Sequence, residues 1–122
     1  MKQKKRLLIF VMLFASVVTK AYDFESGGLY YNIISGTVSA EVTSGDNSYT
    51  GAVSIPASVS YGGKTYSVKK VGFKAFHGCN DLNSVVFPSS IEEIEQEAFT
   101  NCHNLSIITF EGGKCVYSSK CF

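Results

Sequence analysis

Apolar and polar positions in the second half of the chain recur at one fixed distance. GFKAFHGCNDLNSVVFP, residues 72–88, is matched at a shift of 23 by EQEAFTNCHNLSIITFE, and Ala-Phe, Cys and Leu persist while the polar positions between them change. The same shift superimposes Val71 on Ile94, Ala75 and Phe76 on Ala98 and Phe99, Cys79 on Cys102, Leu82 on Leu105, Val85 on Ile108 and Phe87 on Phe110. The departures are Phe73 against Gln96 and Val86 against Thr109. A further step from Ala98 and Phe99 lands on Cys121 and Phe122, the last two residues given.

A period in the twenties carrying Leu-x-x-Val-x-Phe predicts a solenoid, in which each turn contributes a short strand that lies beside the same strand of the next turn. One turn alone leaves its inner side uncovered. Stacking therefore gathers Ala75, Phe76, Cys79, Leu82, Val85 and Phe87 with Ala98, Phe99, Cys102, Leu105, Ile108 and Phe110 into one buried column. The expected fold is mainly β, a short leucine-rich-repeat solenoid with two full turns, at 71–93 and 94–116, and the start of a third at 117–122.

Charged positions fit the same shift. Lys69 falls on Glu92, Lys70 on Glu93, and Lys74 on Glu97, which falls in turn on Lys120. Neighbouring strands lie about 4.8 Å apart, so equivalent side chains on adjacent turns can meet. Each exposed pair is worth only ~0.2–1 kcal/mol, and together they favour this register over a slipped one.

Upstream, GLYYNII, TVSAEVT, YTGAVSIP and KTYSVKK are strand-like runs separated by turn signals at Ser35-Gly36, at Ser44 to Asn47 and at Tyr61-Gly62-Gly63. They predict antiparallel hairpins. Residues 22–70 are thus expected to form an N-terminal hairpin cap over the first turn, which a stacked array needs.

Residues 1–21 read as a secretory signal peptide: Lys2, Lys4, Lys5 and Arg6, an apolar run from Leu7 to Val18, and small residues before a cut after Ala21. That run is too short for a membrane span, which takes about 20 apolar residues. The leader holds five of the eleven basic residues and none of the ten acidic ones, so the mature chain has six against ten and a formal charge of −4. An acidic chain is a poor ligand for phosphate backbones, and no nucleic-acid partner is expected.

The residues IPASV, then VGFKAFHGCNDLNSVVFPSSIEEIEQEAFTNCHNLSIITF, resemble the BspA-like leucine-rich repeat family of bacterial surface proteins, whose turns run roughly Ile-x-x-x-Ala-Phe-x-x-Cys-x-x-Leu-x-x-Val-x-Ile-Pro. The resemblance covers about residues 55–122. It implies an exported, non-enzymatic binding protein, secreted, at the cell surface or in the periplasm, with adhesion to host proteins, glycans or other cells as its role. Family members usually have many more turns, and the third copy here has Cys121 where Ala is expected. The alternative expectation is therefore a truncated or partial repeat protein, acting as a module of a larger assembly or self-associating through an open C-terminal end, where strand 106–110 would expose its edge.

Other residue clusters add little chemistry. Cys79 and Cys102 hold one repeat position and point the same way when stacked, which is poor disulfide geometry, so buried free thiols are expected. Cys115 and Cys121 could pair near the end. His77 and His103 do not align with each other and suggest loop residues, with no metal or cofactor. Glu92, Glu93, Glu95 and Glu97 could supply a carboxylate pair, but three of them already have lysine partners in the preceding turn. No nucleophile elbow or phosphate loop is present, and no enzyme is expected. Tyr30, Tyr31, Tyr49, Tyr61 and Tyr66 are the candidate partner contacts, with packing of the cap as the competing role for about half of them.

Overall fold

A computed structural model describes residues 21–112, 116–117 and 121–122 of the chain. The signal-peptide segment lies outside the described residues, apart from Ala21. So do Cys115 and its pairing with Cys121, and Lys120. The described residues form ten strands: β1 (Phe24–Ser26), β2 (Leu29–Ile33), β3 (Ser39–Thr43), β4 (Gly51–Ser54), β5 (Ser58–Tyr61), β6 (Lys64–Val71), β7 (Leu82–Phe87), β8 (Glu93–Ile94), β9 (Ile107–Phe110) and β10 (Val116–Tyr117). They make a larger sheet of order β1-β2-β3-β6-β8-β10, with β5 also on β6, and a three-stranded sheet of order β4-β7-β9.

The repeat period becomes register. Val71 pairs with Ile94 in the larger sheet, and Val85 with Ile108 and Phe87 with Phe110 in the smaller one, all in parallel. The loops repeat too: the Phe76 N–H donates to the Ala98 carbonyl and the Phe99 N–H to the Cys121 carbonyl. Cys121 and Phe122 thus occupy the Ala-Phe place of a following turn. Phe76 and Phe99 stack at 4.6 Å and 13°, and Phe99 and Phe122 at 5.2 Å and 13°.

Most of the column closes as expected. Ala75, Phe76, Cys79, Leu82, Val85, Phe87, Ala98 and Phe99 are buried, and Cys102 and Leu105 are partly buried. The expectation fails at Ile108 and Phe110, which are 39% and 40% exposed. They belong to β9, which among the described residues is an edge strand of its sheet, where burial is shared with one neighbouring strand rather than two.

The block before residue 71 differs from a set of hairpins. β1, β2 and β3 do run antiparallel, as do β5 and β6 around Gly62 and Gly63, whose φ values of 60° and 79° suit a tight hairpin turn. However, β3 pairs in parallel with β6, and β4 in parallel with β7. Val53 meets Val85 at a sequence separation of 32, whereas Val85 meets Ile108 at one of 23. The β5–β6 hairpin, inserted after β4, lengthens that loop and hides its parallel pairing from a search at the repeat spacing.

Each turn also holds left-handed residues at equivalent places. Lys74 (φ 57°) matches Glu97 (φ 61°), and Gly78 (φ 73°) matches Asn101 (φ 62°). Asparagine tolerates this region better than most side-chain-bearing residues, and β-branched residues do not. Asn101→Gly is expected to change stability by no more than about 0.5 kcal/mol, and Asn101→Val to lower it by about 1–2 kcal/mol. Urea midpoints for the two variants check this; equal values would deny that the backbone conformation dictates the residue.

Candidate binding face

Strand alternation sends every second side chain outward, and the two sheets present different outer faces. On the larger sheet, Asn32, Glu41, Lys70 and Glu93 form a cross-strand row. Lys70 Nζ lies 3.6 Å from Glu93 and 3.8 Å from Glu95, Lys69 lies 3.1 Å from Glu92, and Lys74 lies 3.8 Å from Glu97. All four glutamates of the run 92–97 therefore have a lysine within ion-pair distance. Glu95 also accepts the Phe73 N–H at 3.0 Å. Burial pushes the Glu41 carboxyl above the usual carboxylate range; a hydrogen bond with Asn32 and the Lys70 charge oppose this, while Glu95 and Glu93 reinforce it.

The smaller sheet carries two outward rows without charge: Ala52, Ser84 and Ile107, then Ser54, Val86 and Thr109. Ile107 is 60% exposed, and Ala52, Ser54 and Thr109 are also exposed. Short side chains on adjacent parallel strands leave this face shallow. A partner could approach the strand surface closely without desolvating a charge.

Packing, expected for about half of the five tyrosines, accounts for four of them. Tyr30, Tyr31, Tyr49 and Tyr66 are 0–7% exposed, so their rings pack the interior and present no broad aromatic surface. Tyr22, Tyr30, Tyr49 and Phe76 follow one another at ring-centre distances of 4.7, 5.9 and 4.4 Å, extending the Phe76–Phe99–Phe122 stack into a spine of six rings. Burial raises the Tyr49 hydroxyl pKa far above its ordinary value; the hydroxyl receives the Tyr30 N–H at 3.0 Å and donates to the Thr43 carbonyl. Only Tyr61 of the five is exposed, at 46%, and it stacks on Phe24 at 4.3 Å.

Cys79 is buried and Cys102 partly buried, and both are unbridged thiols. Burial pushes both thiols up, which keeps them protonated. Cys102 Sγ donates to the Phe76 carbonyl at 3.0 Å, and the buried Cys121 Sγ to the Ile94 carbonyl at 3.2 Å. His77 and His103 are exposed on separate turns. Among the described residues no group of three His, Cys, Asp or Glu side chains is arranged to hold a metal, and no helix is long and apolar enough to cross a membrane.

Two clefts flank β4. The first, of about 300 Å³, lies between Gly27–Tyr30 and the segment Asn47–Ser54. The other, of about 340 Å³, includes Ser26, Tyr31, Ser58 and Ser60, and shares Gly27, Leu29 and Ser54 with the first. Sequence patterning holds no sign of either, because the walls come from segments far apart in the chain.

Parallel strands stacked at the repeat register, with an inward aromatic column, define a leucine-rich-repeat protein. Residues 52–122 match the BspA type leucine rich repeat region (6 copies), and the chain belongs to that family. It is similar to a leucine-rich repeat protein from Bacteroides ovatus ATCC 8483, with 34% identity, a TM-score of 0.67, and coverage of 71% of this chain and 23% of that one. A leucine rich cell surface protein from Faecalibacterium prausnitzii A2-165 is 29% identical, with a TM-score of 0.61, over 80% of this chain and 24% of that one. A leucine-rich repeat protein from Bacteroides capillosus ATCC 29799 is 32% identical, with a TM-score of 0.62, over 71% and 64%. The chain thus spans about a quarter of the length of the first two. No curated protein matches it.

Proposed function

We propose that this chain is an exported, non-catalytic binding protein that engages an extracellular protein or glycan through the outer face of β4, β7 and β9. The observation that carries this reading is the uncharged character of that face, with Ile107 60% exposed, beside a larger sheet that carries charged side chains, among them Lys69 and Lys70 paired with Glu92 and Glu93. Family membership and the surface location named for the Faecalibacterium relative support export and adhesion. The test uses the mature chain, expected to begin at Tyr22, on arrays of extracellular-matrix proteins and glycans. Ser84→Lys with Ile107→Lys is expected to reduce binding at least tenfold while the circular dichroism spectrum stays the same. Binding that survives in the folded double variant would remove the outer face from consideration.

A second reading, a partial repeat module that self-associates or joins a larger assembly, draws on the exposed Ile107 and Ile108 of the edge strand β9. Light scattering on the mature chain separates the two. A stable monomer at high concentration counts against self-association.

A further inference from the structure

Among the described residues β4 is an edge strand, paired on one side with β7 and with its other hydrogen-bonding side still to offer. The Gly51 N–H donates to the Asp81 carbonyl and the Ile55 N–H to the Val86 carbonyl, so the odd positions of this segment face β7. Main-chain alternation in a parallel ladder then directs the N–H and C=O groups of Ala52 and Ser54 away from β7. That side opens onto the 300 Å³ cleft, whose opposite wall is Gly27 and Gly28. Neither glycine carries a side chain, and at both positions a Cβ would meet nothing within 4 Å, so an incoming backbone has room there.

A second observation lies in the adjoining cleft. Tyr31 is 0% exposed, lines that cleft, and its hydroxyl has no hydrogen-bond partner among the described residues. A buried hydroxyl left unpaired is costly, and a ligand hydrogen bond would offset that cost. The walls of both clefts contain no charged residue. The rings of Tyr30, Tyr31 and Tyr49 are buried, leaving no broad aromatic face on which a sugar could stack.

From these features we infer that the groove beside β4 takes an uncharged, extended peptide segment of a partner protein, which adds to β4 as a further strand and hydrogen-bonds the Tyr31 hydroxyl. This goes beyond the outer-face reading by placing a separate site beside β4, and rests on that reading only in supposing that the chain is a binding protein. Main-chain pairing supplies the attraction, while Ser26, Ser58 and Ser60 favour small or hydroxyl-bearing side chains.

The experiment uses the mature chain and an array of acetylated, amidated octapeptides of Ser, Thr, Val, Ile and Gly, with the same peptides methylated on alternate main-chain nitrogens. Neutral hexasaccharides of glucose and N-acetylglucosamine serve as the rival probe. At least one unmethylated peptide is expected to bind, with a loss of tenfold or more on methylation. Ser54→Pro removes an outward N–H and is expected to abolish that binding, whereas Ser54→Ala retains it. Tyr31→Phe is expected to weaken binding about fivefold without lowering the melting temperature. The outer-face variant, Ser84→Lys with Ile107→Lys, is expected to leave peptide binding intact, so failure of the face and failure of the groove are distinguishable. Absence of peptide binding by the folded wild type, indifference to methylation, or binding of the hexasaccharides alone would overturn the inference.

Discussion

Phe76→Ala is expected to lower stability by about 3–5 kcal/mol, read as a shift of the urea midpoint at unchanged slope. Phe76 is fully buried and sits in the middle of the aromatic spine, 4.4 Å from the Tyr49 ring and 4.6 Å from that of Phe99. Truncation removes the apolar burial of the ring and two ring contacts worth about 0.5–1.5 kcal/mol each, and leaves a cavity bounded by side chains from different turns. A domain of this size has only about 5–15 kcal/mol in total, so the loss would be a large share. Phe73→Ala is the matched control. Phe73 lies close by in the chain, is 54% exposed, and should change stability by no more than about 0.5 kcal/mol. A cost below about 1 kcal/mol for Phe76→Ala would mean that the stack does not hold the turns together.

Gly45→Ala should be nearly as damaging, by about 3 kcal/mol, for a reason that has nothing to do with backbone freedom. The φ of Gly45 lies outside the left-handed region, so alanine is allowed there, but its methyl group would overlap the ring of Tyr30. That ring has little room to withdraw. It is 4% exposed, packed between Tyr22 and Tyr49, and its hydroxyl accepts from the Asn47 main-chain N–H and from Asn47 Nδ2, both at 3.3 Å. Either the ring or the 44–47 loop must move, at the expense of one of these contacts. The double variant Gly45→Ala with Tyr30→Ala decides the cause: once the ring is absent, the Gly45 substitution should add little. A full additive cost would place the strain elsewhere.

The column and its register were legible in the sequence because one spacing recurs without interruption from Val71 to Phe110. Lys69–Glu92, Lys70–Glu93 and Lys74–Glu97 could be read from the same shift, since equivalent residues on stacked strands are spatial neighbours. Beyond that stretch the reading fails for physical reasons. Val53-x-Ile55-Pro56 does match Val85-x-Phe87-Pro88, but at a shift of 32, because the inserted β5–β6 hairpin breaks the period. Tyr30, Tyr49 and Phe76 belong to one stack although no repeat relates them; only the folded path from β2 through β4 brings them together. The role of Gly45 was invisible for the same reason, as a glycine in a turn signal says nothing about a ring lying across it. The β4 clefts depend on residues 26–31 meeting residues 47–60, and local patterning carries no trace of that.

The parallel ladders have a mechanical consequence. Their hydrogen bonds run from strand to strand, along the direction in which the turns stack. A pull along that direction therefore loads each ladder end-on, and the strands peel away singly instead of shearing together. Under tension the chain should lengthen in small steps at low force, with the outermost strand yielding first. A tether built this way would act as a compliant spring between whatever is held at its two ends.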